Sequence, residues 1–306
     1  MSGNAQPGPL RGVSKAVALA WVAVAYALAL LGGALVLFAL EAWPPVAAMA
    51  AACLTATGLV FAGSLALQNS SLFDPYWSVI PIAVVLAWLP LAEGPIWRNG
   101  LIAALVIAWG TRLTWNWVRG WKGFGHEDWR YERIRERTGR GYWLVSALGI
   151  HLFPAVQVFL GMLPVYGAFD STRELGWLDG VAAAITAFGI AWETVADRQL
   201  HRFRRAPSNR GRTLTSGLWR TARHPNYLGE ILFWVGLALF AGAAGHTEWW
   251  YYAGAVTMML MFRFISLPLI DARMLERRSD YARRMATVNA LLPWPARQSH
   301  RQSSSG

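Results

Sequence analysis

The chain has 306 residues, 55% of them hydrophobic and only 15% charged, with a mean hydropathy of +0.31; a soluble domain carries about 25% charged residues. This balance excludes a disordered or collagen-like chain, and a lone Cys53 excludes a disulfide framework or a cysteine-rich metal site. A net charge of +11 in so apolar a chain points to basic loops at a membrane face, and no recognition pattern points to nucleic acid.

Residues 1–12 and 296–306 are polar and are expected to be disordered around a single membrane domain over 13–295. Apolar runs follow at 13–40, 46–67, 77–93, 98–118, 142–165, 177–197, 227–245 and 249–267. A helix crosses hydrocarbon with about 20 residues, so the expectation is an all-α polytopic bundle of eight spans in a lipid bilayer. The number falls to seven if the first run, or the short third one with Pro81 and Pro90, does not cross. Of the 28 Lys and Arg, 26 lie near the N-terminus or in the segments 112–140, 198–223 and 263 onward; only Arg98 and Arg173 fall in the alternate loops. Positive residues collect on the cytoplasmic side, so both chain ends and the three Arg-rich segments are expected there.

Ionisable groups in or beside a span are costly and are functional candidates by default. In chain order, the first cluster is Gln68-Asn69-Ser70-Ser71, followed by Asp74-Pro75. Asp74 reads as a turn or cap, or, with Asn69, as a partner for the polar end of a substrate. Arg112 lies before the end of its span and calls for an anionic partner. The segment from Lys122 to Tyr131 reads most simply as a solvated amphipathic face. Glu193 and Asp197, at i and i+4, share a helix face. They either pair with Arg198 or His201, or accept from ligand hydroxyls, with Arg202 and Arg204 taking phosphate. Arg220 and Arg223 flank a helix start at His224-Pro225-Asn226-Tyr227, a ready anion site, with Asn226 and Glu230 on one face. The plain alternative is a cap with its arginines on lipid phosphates. Arg263 and Asp271, two turns apart, read as an ion pair inside the bundle or as phosphate contacts. The six histidines are too scattered for a metal site, and mid-span His151 reads as a packed, hydrogen-bonded residue.

Several of these residues carry a family resemblance. Glu127-Asp128-Trp129-Arg130-Tyr131, Gly217-Leu218-Trp219-Arg220, Arg223-His224-Pro225-Asn226-Tyr227 with Gly229-Glu230, Ser266 with Pro268, and Tyr281 ahead of Pro293-Trp294-Pro295 resemble the steroid 5-alpha-reductase-like superfamily, in particular its bacterial DUF1295 branch. The resemblance covers roughly 65–295. It implies a membrane reductase of the bacterial inner membrane, open to the cytoplasm, that uses NADPH to reduce an activated C=C bond in a lipophilic steroid-like or isoprenoid substrate. It assigns Asn226 and Glu230 to the cofactor, with Arg112, Glu193, Asp197, Arg202, Arg204, Arg223, His224, Tyr227, Arg263 and Asp271 around it. Glu193 replaces the family's Asn, and Asp271 replaces a Tyr. The family's carbonyl-polarising acid and Tyr fall on Gln68-Asn69 and Trp109. Asn69 is then the candidate donor to the substrate oxygen, and Asp74 or Tyr131 the candidate proton source. Two other readings remain. One is an isoprenylcysteine-type methyltransferase using S-adenosylmethionine, which shares the Arg-His-Pro-x-Tyr-x-Gly pattern. The other is a non-catalytic lipid-binding protein. Neither residues nor resemblance fixes the oligomeric state.

Overall fold

The computed structural model describes residues 9–293, all helix and loop with no strand among them. Of the two segments expected to be disordered, 296–306 and residues 1–8 lie outside that range, while residues 9–12 form a turn before the first helix. Eight helical stretches are long and apolar enough to cross a membrane, so the protein is a multi-pass helical membrane protein. The described residues divide into two compact units, 9–175 with 244–254, and 176–243 with 255–293.

The first unit opens with α1 (Lys15–Ala39), whose N-cap Ser14 accepts from the Val17 amide. Twenty-five residues at 1.5 Å each make about 37 Å, enough to cross the hydrocarbon. Its buried stripe of Ala18, Val22, Tyr26, Ala29 and Gly33 repeats at close to four residues and packs on α2 (Pro45–Ala66). Leu28, Leu31, Leu35 and Phe38 on the remaining surface are exposed, as an acyl-facing side requires. After α2 the chain turns at Gln68, whose φ of 53° is left-handed, and enters a short 3-10 turn at Ser70–Phe73. The helices α3 (Tyr76–Trp88), α4 (Ile96–Gly120) and the surface helix α5 (Trp129–Thr138) follow. A single turn, α6 (Tyr142–Val145), runs through a π-helical stretch at Ser146–Leu152 into α7 (Phe153–Asp170). Arg98 is only 1% exposed, because its guanidinium caps the chain after α7 by donating to the carbonyls of Arg173 and Glu174.

The second unit is built on α8 (Trp177–Arg205) and α9 (Pro225–Ala243). Glycines let the two backbones approach. A Cβ on Gly229 would lie 2.7 Å from Gly189 O and 2.6 Å from Glu193 Cβ, and one on Gly236 would overlap Thr186. The turn at Gly217–Arg220 docks back on α8 through Leu218 N to Gln199 Oε1 and Trp219 Nε1 to Ala196 O. The helix α10 (Trp250–Met261), within which the two units divide, continues through a π-helical stretch at Phe262–Ser266 into α11 (Leu267–Arg277). The short α12 (Tyr281–Thr287) follows.

Candidate functional site

A buried polar cluster is found in each unit among the described residues. In the second unit the hub is Asp271, which lies on α11 facing inward. One carboxylate oxygen accepts from Arg223 NH2 at 2.8 Å, and the other accepts from His224 Nε2 at 2.7 Å and from the Tyr281 hydroxyl. Arg223 also donates through NH1 to the carbonyls of Val288 (2.7 Å) and Met285 (3.3 Å). The backbone amides of Arg223 and His224 donate to the carbonyls of Asn289 and Ala290. The residues before α9 are therefore latched to α11, α12 and the segment that follows. Burial, with the Asp271 charge beside it, holds the Tyr281 phenol above its ordinary pKa, so it stays protonated and donating. The helix start brings Asn226 and Glu230 onto one face, as their spacing implies. Glu230 is buried and accepts from Trp234 Nε1 at 3.0 Å. Asn226 Oδ1 is buried and has no hydrogen-bond partner among the described residues.

The expected Arg263–Asp271 pair is not formed. Asp271 is taken by Arg223, His224 and Tyr281, while Arg263, on the π-helical stretch, is exposed with its guanidinium against the Phe264 ring. The π-helical stretch breaks the 3.6-residue phase on which the two-turn spacing argument rested. Glu193 is buried against Gly229, Asp197 and Tyr227 are half-buried, and Arg202 and Arg204 are exposed on the last turn of α8.

In the first unit the cluster gathers around Glu127, and here the expectation of a solvated face for 122–131 is overturned. Glu127 and Tyr131 are buried. The Glu127 carboxylate accepts from the Ser70 amide (2.6 Å), the Tyr142 hydroxyl (3.2 Å) and Arg135 (3.1 Å). From Tyr142 the hydroxyls of Ser70 and Ser146 continue inward to His151, which is bonded through Nδ1 to Ser146 O and through Nε2 to Ser64 Oγ. Asn69 is 3% exposed. Both hydrogens of its amide point at carbonyls, those of Phe124 and His126, and its oxygen caps the Ser71 amide. It fastens the Ser70–Phe73 turn to the 124–126 loop and leaves no amide hydrogen for a substrate oxygen. Asp74 and Tyr131 do come together, the Tyr131 hydroxyl donating to Asp74 Oδ1 at 2.7 Å. Arg112 is half-buried on α4 of this unit.

Sequence reasoning missed Glu127, Tyr142, Tyr281 and the polar chain to His151 as site members. A signal was present for Glu127 and Tyr281, which both stand among the residues carrying the resemblance. Residues 60–288 match the family described as protein of unknown function (DUF1295). The chain belongs to this family. The DUF1295 match takes in the side chains of both clusters, from Ser64 to Tyr281. An uncharacterized protein of Schizosaccharomyces pombe is 30% identical over 206 residues, 59% of this chain and 60% of its own length. A probable O-methyltransferase, ustE, of Ustilaginoidea virens is 30% identical over 112 residues, 36% of this chain and 37% of its own. The chain thus spans less than two thirds of either relative. Both are fungal, and the expected bacterial placement finds no support in them. No solved structure matches the chain.

Proposed function

We propose that the protein is a membrane-embedded reductase that holds NADPH at the start of α9 and reduces an activated C=C bond of a lipophilic substrate. The observation that carries this reading is the Asn226 oxygen, buried in the first turn of α9 with no donor among the described residues to pair it. A buried amide oxygen left unpaired is costly, and a cofactor carboxamide carries the N–H group that would satisfy it. Glu230, one turn on, offers a second acceptor, and Glu193 and Asp197 lie on the neighbouring α8 for ribose hydroxyls. Arg202 and Arg204 at the end of α8 suit phosphate. The assignment is built inside the second unit and stands without Arg112 of the first.

When bound, NADPH supplies a hydride for the β-carbon of the substrate double bond. The α-carbon then needs a proton. A group placed to deliver it contributes about 10²–10⁴-fold. Within the first unit, the Tyr131 hydroxyl and Asp74 hold a proton between two oxygens 2.7 Å apart. Asn69 positions the turn on which Asp74 stands. The resemblance to steroid 5-alpha-reductases supports the same reading.

One observation favours a second reading: the relative named a probable O-methyltransferase suggests S-adenosylmethionine at the same helix start. The two separate in a single assay of purified protein with a lipophilic enone. The reductase reading expects NADPH consumption and a product richer by two hydrogens. Methyl transfer to a lipophilic acceptor, with no NADPH consumed, would replace it, and turnover of neither cosubstrate across an enone panel would favour a non-catalytic protein.

A further inference from the structure

Among the described residues, two arginines of the second unit bury N–H groups that find no acceptor. The Arg223 side chain is 10% exposed. Its NH1 and NH2 are committed to Met285, Val288 and Asp271, but Nε has no partner. On α12, Arg284 buries NH2, also without a partner.

The fold brings these groups into one neighbourhood. Arg223 grips the carbonyl of Met285, which follows Arg284 directly, and that of Val288, whose own amide donates to Arg284 O at 2.9 Å. Asp271 accepts from Arg223, His224 and Tyr281 and makes no bond to Arg284. The charges also sense each other. Burial depresses the basicity of Arg284, Tyr281 and Asp280 oppose that, and the positive Arg223 depresses it further. A buried guanidinium N–H without an acceptor is disfavoured in a folded protein. Two of them, with one carboxylate shared among three donors, leave a local excess of positive charge and of donors. Arg277, Arg278 and Arg283 add like charge on the same short stretch of chain.

We propose that Arg223 Nε and Arg284 NH2 are donors of a phosphate-binding site on the second unit, for the phosphoryl group of a nucleotide or of a phospholipid headgroup. Planar guanidinium groups match phosphate oxygens in geometry and charge. Arg284 is the residue this site adds. The nucleotide arm rests on the NADPH reading, and the lipid arm stands without it.

The test uses full-length protein in an uncharged detergent. It is titrated with 2′,5′-ADP, which carries phosphates and adenosine but no nicotinamide, and, reconstituted in phosphatidylcholine nanodiscs, with phosphatidic acid as the added lipid. Wild type is expected to bind one probe saturably, and Arg284→Gln to weaken that binding by about tenfold or more, the loss of one charged hydrogen bond. Arg284→Lys, which keeps the charge, should lose less. Dependence confined to 2′,5′-ADP assigns the site to a nucleotide phosphate, and dependence confined to phosphatidic acid assigns it to a headgroup. Two results overturn the proposal: wild type binding neither probe, or Arg284→Gln, melting like wild type, binding as wild type does. The cofactor reading fails separately, if wild type neither binds nor consumes NADPH while a phosphate probe still depends on Arg284.

Discussion

Asp271→Asn is the perturbation that bears hardest on the second unit. The substitution keeps the shape of the side chain and removes its charge. In its place an amide with one acceptor oxygen must face three donors, Arg223 NH2, His224 Nε2 and the Tyr281 hydroxyl. The Arg223 and Asp271 side chains are each about nine-tenths buried, so solvent screens the pair little. Removing one partner of such a pair costs about 3–5 kcal/mol, and the lower end applies because the asparagine oxygen still accepts one bond. At about 1.5 °C per kcal/mol for a chain of this size, the loss is about 5 °C in melting temperature. Tryptophan fluorescence of detergent-purified protein reads it, since Trp219 and Trp234 lie in the same unit. Tyr281→Phe removes one donor and leaves the charge paired, so it should cost about 1 kcal/mol. An Asp271→Asn protein melting within about 2 °C of wild type, or below it by no more than Tyr281→Phe, would refute the hub.

The raised pKa of Tyr281 sets the pH dependence of this latch. The unfolded chain releases the phenol proton near pH 10 while the folded chain keeps it, so the contribution is complete below about pH 10 and declines above it; melting should fall more steeply above pH 10 in wild type than in Tyr281→Phe. Gly229→Val sets a branched side chain against Gly189 O and the Glu193 backbone, and overpacking of this kind costs about 1–3 kcal/mol or more; a variant melting like wild type would contradict the close approach of α8 and α9. Glu127→Gln leaves Arg135 without its carboxylate and should lower the melting temperature by several degrees, whereas Arg137→Gln, on the exposed side of α5, should change it little. Tyr131→Phe takes from the Asp74 carboxylate the hydroxyl that donates to it and should cost about 1–3 kcal/mol; a variant melting like wild type would contradict the pair.

The spans were the most legible part of the sequence, because runs of uncharged apolar residues have one stable use in lipid. Their ends were less so. Runs read as ending near 197 and 267 continue as helix to Arg205 and Arg277, since arginine is a good helix former and hydropathy marks where the hydrocarbon ends, not where the helix does. The i and i+4 spacing placed Asn226 and Glu230 on one face of α9, a local inference that needs no tertiary knowledge. The partner of Asp271 could not be read that way. Arg223 is distant in sequence, and the π-helical stretch at 262–266 shifts the phase between Arg263 and Asp271. Glu127 was misread because a run of mixed charges looks solvated. What buries it is the Ser70 amide and the Tyr142 hydroxyl, contributed by separate elements of the first unit.

Equilibrium dialysis of purified protein against NADPH and against S-adenosylmethionine bears most directly on the assignment of the α9 start. Saturable NADPH binding, weakened about tenfold or more by Asn226→Leu and not displaced by S-adenosylmethionine, is the expected result. Saturable binding of S-adenosylmethionine with none of NADPH, or NADPH binding indifferent to Asn226, would contradict it.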